Sequence, residues 1–299
     1  MTKATRYRVE AAAAAVAAAI VRRLPRRLAL AAGRAIGRFW GVLDARHLRI
    51  AVENLRASFP DWDAGRLESV ARGVYGHFGA VIFDLLWMAG RKGADLAALV
   101  EEEGEESLRA AAARSKGVLY CGAHIGNWEI HAIALAAQHG PLSVVARPLE
   151  NPALDARLCA LRSVTGNAVI YKRKALASVL RELRAGRAIA MLLDQNVMES
   201  DGIFVEFFGR MAATTTVAAA LALKTGCALV PAWTELLRDG RYRLHYEPAL
   251  EVRADADRDP EIARLTQELA ARTEGWIRRA PEQWLWLHRR WKTPPGSRL

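Results

Sequence analysis

Three cysteines in 299 residues, none in a CxxC pair, are too few for a disulfide scaffold or a zinc ribbon. Cys121, Cys159 and Cys227 suit a reducing compartment instead. No uninterrupted apolar run reaches the ~20 residues of a clear spanning helix, so a polytopic membrane protein is set aside. G-x-S-x-G does not occur, so the serine elbow of the α/β-hydrolases is missing too. No internal repeat and no low-complexity linker follows residue 45. Acidic residues are scarce at the start: the first 50 positions hold only Glu10 and Asp44, against Lys3 and ten arginines.

What is present is apolar and basic. Apolar residues make up 52% of the chain, which excludes a disordered protein, because burial of that much apolar surface can offset ordering entropy. The formal net charge is +11, and nine of those charges fall in the first sixth of the chain. The rest is close to neutral. Nucleic-acid binding is therefore not expected, since it needs a basic patch on the folded body.

The N-terminal charge flanks an eleven-residue apolar run, Ala11 to Val21. As a helix it would be roughly 16 Å long, about half a hydrocarbon core. Arg23, Arg27, Arg34 and Arg38 follow at helical spacing, beside Leu28, Leu30, Ile36, Phe39 and Trp40. That pattern suits an interfacial helix, with charges at anionic headgroups and rings at the boundary. The alternative is a helix docked on the protein's own core with its arginines in water. A cleavable secretory signal is not expected, because the basic flank continues and no small-residue cleavage site follows. The expected division is a membrane-anchoring segment, 1–45, and a catalytic domain, 46–299.

Residues 45–90 read as helical with a break at Phe59-Pro60-Asp61, and Asp61 or Asp63 as the next cap. The charged stretch 101–113 reads as a solvated helix. From residue 117 short apolar runs (GVLYC, LSVVAR, AVIYK, AIAMLLD, ALVPAW) alternate with helical patterns at 128–138, 152–164, 174–185 and 214–226. This alternation predicts an α/β fold with a mostly parallel central sheet flanked by helices. Residues 241–252 read as a more exposed antiparallel strand, and 258–279 as a final long helix.

One segment carries chemistry: Cys121-Gly122-Ala123-His124-Ile125-Gly126-Asn127-Trp128-Glu129, between a strand and a helix. Ligands of open α/β sheets bind at the carboxyl ends of strands. Asn127 is placed to cap the helix, and Glu129 in its first turn could turn back to the His124 imidazole. A carboxylate there would fix the tautomer and leave the other ring nitrogen as a general base. By chance, His-x4-Asp/Glu would arise about 0.7 times at seven histidines and ordinary acid content. The strand–loop–helix context therefore matters more than the spacing.

His124 to Glu129 resembles the H-x4-D/E motif of glycerolipid-type acyltransferases. NLRASFP (54–60), VARPLENPALD (145–155), LLDQN (192–196), FVEFFG (204–209) with ATTT (213–216), and APEQWLWLHRRWKTPP (280–295) narrow the resemblance to the late acyltransferases of lipid A biosynthesis. These segments occur in family order and span nearly the whole chain. The resemblance implies acyl transfer from acyl carrier protein to a hydroxyl of a phosphorylated glycolipid acceptor. It implies the cytoplasmic face of the inner membrane, contact with membrane lipids, and no cofactor beyond the acyl donor. It makes His124 the base, Glu129 its orienting partner, Arg162 a group near the reacting carbonyl, and Asp194 an acidic residue facing the site. Arg147, Asn127 and Gln195 are expected to contact substrate. Arg289 and Arg290, in a compact basic–aromatic cluster, are expected to dock carrier protein or lipid phosphate, or else to form a solvated tail.

With no activated Cys or Ser nucleophile evident, direct attack without an acyl-enzyme is favoured. Another glycolipid acceptor, such as a mannosylated phosphoinositide, is the near alternative. A metal-dependent hydrolase with His124, Glu129 and Asp194 as ligands is the distant one, although closely spaced ligand pairs are absent from the sequence.

Overall fold

A computed structural model describes residues 1–113, 116–171 and 175–296. Four helices come first: α1 (Lys3–Val21), α2 (Arg26–Leu43), α3 (Ala45–Ser58) and α4 (Ala64–Met88). Pro25 separates α1 from α2, so the expected four-arginine stripe is broken. Arg27, Arg34 and Arg38 share α2, while Arg23 lies in the turn after α1. Asp63 caps α4 by accepting from the Arg66 backbone N–H at 2.8 Å. No described helix is long and apolar enough to cross a membrane.

The sheet runs from β1 (Val100–Glu103) through β2 (Val118–Gly122), β3 (Ser143–Ala146), β4 (Ala168–Tyr171), β5 (Ala188–Leu192), β8 (Ala228–Leu236) and β9 (Tyr242–Tyr246), in the order β1-β9-β8-β2-β5-β3-β4. Every neighbouring pair is parallel except β8 with β9. A separate antiparallel hairpin joins β6 (Gly202–Phe207) to β7 (Arg210–Thr215).

Period-two burial explains the layers. Val118 and Tyr120 of β2 pack with α5 (Gly93–Ala97), α6 (Glu105–Ala112) and α7 (Trp128–His139). Leu119 and Cys121 pack with α9 (Ala175–Arg184), α10 (Val217–Thr225) and α11 (Arg258–Arg279). α8 (Pro152–Arg162) links β3 to β4. A third cluster, rich in aromatics, joins Leu55, Phe59, Phe207, Phe208, Trp276, Trp284 and Trp286. The FVEFFG phenylalanines 207 and 208 are thus core, and the threonines at 214 and 215 belong to β7 rather than to the start of α10.

Two sequence expectations are corrected here. Residues 101–113 are not one solvated helix, because Val100–Glu103 forms the edge strand β1. Its glutamates are satisfied across the ladder, Glu101 by Arg243 Nε at 2.6 Å and Glu102 by the Tyr246 hydroxyl at 2.7 Å. For the same reason β9 is mostly buried instead of exposed: β1 covers its outer edge. The expected strand residue Lys172 and helix residue Lys174 lie outside the described residues.

Residues 26–43 lie against the body. Gly33, Gly37 and Gly41 face α4 so closely that a Cβ on Gly37 would sit 2.1 Å from the Tyr75 carbonyl oxygen, and one on Gly79 only 2.2 Å from that of Gly33. The opposite face of α2 is apolar and open: Leu28, Ile36, Phe39, Val42 and Leu43 are exposed, and Phe39 and Trp40 are 65% and 60% accessible. α1 meets α8 through Asn151, whose Nδ2 donates to the Tyr7 carbonyl and to Glu10, each at 2.9 Å.

Candidate active site

β2 and β5 pair in parallel with Gly122 opposite Leu192. Two residues beyond that pair, at the carboxyl ends of both strands, stand His124 and Asp194. The register therefore brings them together. His124 Nδ1–H donates to Asp194 Oδ1 at 2.8 Å, and the His124 backbone N–H donates to Oδ2 at 2.9 Å. Trp284 Nε1–H adds a third bond, to Oδ2, at 2.8 Å. With Nδ1 donating to a carboxylate, Nε2 keeps its lone pair. That nitrogen has a single polar contact among the described residues, the amide nitrogen of exposed Gln195 at 3.4 Å. A contact that long yields easily to an incoming hydroxyl.

Electrostatics follow the geometry. Burial alone would lower the His124 pKa, but the Asp194 charge and hydrogen bond, with the Glu129 charge behind, outweigh it and raise the group above 6.5. Burial would raise Asp194, yet the His124 charge and the three donors hold it at about 2. The carboxylate is ionised and the imidazole is a strengthened base.

The expected Glu129–His124 contact is absent, and this is a correction. Asp194 takes the orienting role. Glu129 is held by Arg162, whose Nε and Nη2 donate to its two oxygens at 2.7 and 2.6 Å, and by Trp128 Nε1 at 3.1 Å. The reason lies in helix geometry: the α7 N-terminus presents Glu129 to the end of α8, where Arg162 offers a planar fork. Arg162 Nη1 is buried with no hydrogen-bond partner among the described residues. An arginine donor left without a partner is of the chemical kind that can meet a developing oxyanion. The same pairing removes Glu129 from the metal-ligand set that a hydrolase would need.

The other expected contacts divide. Asn127 caps α7, its Oδ1 accepting from the N–H groups of Glu129 and Ile130 at 3.2 and 3.3 Å. It is fully buried, so the expected substrate contact is corrected to a structural one. Arg290 is only 1% exposed and is bonded through Nη1 to the Ala213 carbonyl at 2.6 Å and through Nη2 to the Thr214 hydroxyl. Burial pulls its pKa down to about 10. It supports the hairpin and cannot dock a carrier or a lipid, whereas Arg289 is exposed. Arg147 is exposed one residue after β3, a strand further along the edge that holds His124 and Asp194. Cys121 is buried and its thiol is pushed up by burial, so it is no nucleophile.

Sequence reasoning missed the residues that hold the loop. Trp284 lay inside a segment singled out for other reasons. Gly126 has φ +62°, and a Cβ there would lie 1.7 Å from the Thr234 carbonyl oxygen. Its N–H donates to the Gln283 carbonyl and its own carbonyl accepts from His77 Nε2, both at 3.0 Å. Behind Asn127 runs a buried chain. Asn127 Nδ2 donates to the Tyr242 hydroxyl at 3.0 Å, that hydroxyl donates to Asp84 Oδ2 at 2.5 Å, and Arg26 Nε and Nη2 donate to Asp84 at 2.8 Å each. Nothing in the spacing of these four residues announces the chain.

Two buried histidines give a pH expectation. Burial lowers His77 and His131 to about 4, helped by the charges of Arg34 and His245 respectively. Unfolded, each titrates near 6.5. Between those values the unfolded chain binds more protons, so stability falls as pH falls. The loss is about 2 kcal/mol for each histidine by pH 5. His124, raised instead, offsets part of it. Urea unfolding at pH 7 and pH 5 should show the lower midpoint at pH 5; an unchanged midpoint contradicts the assignment.

Residues 2–293 match the family described as bacterial lipid A biosynthesis acyltransferase. The chain belongs to that family. Among curated relatives, the lipid A biosynthesis lauroyltransferase of Escherichia coli (strain K12) is 31% identical over 202 residues, 67% of this chain and 64% of its own length. The palmitoleoyltransferase of the same organism is 26% identical over 269 residues, covering 88% of this chain and 84% of that one. A phosphatidylinositol mannoside acyltransferase of Mycobacterium tuberculosis (strain CDC 1551 / Oshkosh) is 29% identical over 224 residues, 73% of this chain and 67% of that one. By their names, this chain's relatives therefore include acyltransferases of lipid A biosynthesis and of phosphatidylinositol mannoside.

Proposed function

We propose that this protein transfers a fatty acyl chain from an acyl carrier protein thioester to a hydroxyl of a lipid A precursor. The observation that carries the reading is the His124–Asp194 pair at adjacent strand ends, with Nε2 open to a substrate hydroxyl. His124 Nε2 takes the hydroxyl proton as the oxygen attacks the thioester carbonyl. Arg162, held by Glu129, stabilises the oxyanion. Collapse breaks the carbon–sulfur bond, and the imidazolium returns its proton to the leaving thiolate. No acyl-enzyme forms.

The carrier protein as donor follows from the family resemblance. Contact with a membrane surface is supported by the open apolar face of α2 with Arg27, Arg34 and Arg38 on the same helix; the cytoplasmic face of the inner membrane follows from the family resemblance. A mannosylated phosphoinositide as acceptor is the second reading, favoured by the 29% identical mannoside acyltransferase.

Expression in a strain lacking late lipid A acylation, followed by mass spectrometry of its lipids, tests both. One added ester-linked acyl chain on lipid A is expected. Unchanged lipid A, with active protein in the membrane fraction, would overturn the first acceptor.

A further inference from the structure

We infer that the cleft between α3 and the C-terminal segment is a phosphate subsite for the headgroup of a lipid acceptor; this rests on the acyl-transfer reading and gives its acceptor a handle. The cleft has a volume of about 380 Å³ and is lined by Arg46, His47, Asn196, His288, Arg289 and Lys292. Among the described residues no carboxylate lines it. Arg46, Arg289 and Lys292 are exposed and make no ion pair among the described residues. Nearby Asp44 is taken up by His47, whose Nδ1 donates to its two oxygens at 2.9 Å. His288 accepts from the Asn196 backbone N–H at Nε2, 3.0 Å, which leaves its proton on Nδ1 as a further donor. A phosphate monoester carries close to two charges and three acceptor oxygens, and it asks for several convergent cationic donors.

Position links this cleft to the chemistry. Asn196 lines it, and the residue before, Gln195, is the one in contact with His124 Nε2. A phosphate seated there would hold the molecule bearing it against the same short segment that touches the base. Position also selects a lipid over the carrier's prosthetic group. The exposed apolar residues Phe39, Trp40, Val42 and Leu43 end α2 immediately before Asp44 and Arg46. An amphiphile laid along that surface has its polar end at the cleft.

Inorganic phosphate is the binding probe, read by ³¹P line broadening on the full-length chain in neutral detergent. Wild type and His124→Ala should both broaden the signal, and Arg46→Ala/Arg289→Ala should need at least ten times more protein to match it, with an unchanged thermal melt. Arg46→Lys/Arg289→Lys should restore part of the effect. In steady state, the alanine pair should raise the KM for a phosphorylated lipid acceptor about 10- to 100-fold, the range expected for losing charge-assisted hydrogen bonds. The donor KM should not move, and the same lipid stripped of phosphate should no longer be distinguished by the variant.

Broadening that survives in the alanine pair means adventitious anion binding and overturns the subsite. A rise in donor KM with acceptor KM unchanged gives the cleft to the carrier's phosphate and overturns the lipid assignment. Absence of acyl transfer in wild type overturns the enzymatic reading instead, and the ³¹P result then stands or falls by itself.

Discussion

His124→Ala is expected to lower kcat by about 10³-fold or more. A positioned general base contributes about 10²–10⁴, and in the proposed reaction it also returns the proton to the leaving sulfur. The loss should fall on kcat, because the imidazole acts on the reacting hydroxyl and binds neither the acyl chain nor the headgroup. The fold should survive. Asp194 keeps two of its three donors, the His124 backbone N–H and Trp284 Nε1. Losing the third should cost about 1–3 kcal/mol. A thioester-cleavage assay with lipid acceptor, beside a thermal melt, reads both quantities. Activity within tenfold of wild type in a folded variant would remove His124 from its role.

Asp194→Asn should do nearly as much for a different reason. The amide keeps the shape of the carboxylate but can turn its NH₂ toward Nδ1. The ring then carries its proton on Nε2, where the base is needed, and an equivalent change of tautomer elsewhere costs about 10⁴ in kcat. The residual activity has its own signature. Activity rises with pH as His124 loses its proton, so the acid limb of wild type should have its midpoint above 6.5. Without the Asp194 charge, burial outweighs what remains and the midpoint should move to lower pH. A pH–rate profile from 5 to 9 checks the direction. A variant with full kcat and an unmoved limb would return the orienting role to Glu129.

That exchange of roles shows where reading the sequence stops. The alternation of β2, α7, β3, α8, β4, α9 and β5 is visible because the strands are short apolar runs rich in Val, Ile, Leu and Tyr, separated by segments of helical length. His124 is visible because it follows a strand and precedes a capped helix. Its partner is not. Asp194 lies 70 residues away and meets the imidazole only through the β2–β5 register, which no local pattern encodes. Glu129 is five residues away and looks right, but in the first turn of α7 it is within reach of Arg162, whose bidentate fork is the stronger claim. Arg290 misled for a related reason. Adjacent arginines in a basic run look alike in sequence, yet one is buried under the hairpin and the other stands in solvent. β1 was hidden by its glutamates, which ordinary strand preference disfavours and cross-strand partners make tolerable.

The buried chain from Arg26 through Asp84 and Tyr242 to Asn127 bears on how such a protein can change over generations. Asp84 is wholly enclosed, and an enclosed carboxylate deprived of its cation is strongly destabilising. A different leading segment grafted in place of α2 would have to bring an arginine to that spot, together with glycines narrow enough to lie on α4. Without them the disturbance would run to the cap of α7, beside the base. The first helices cannot be traded between relatives like an address label. They and the residues around His124 must diverge in step, each constraining what the other may become.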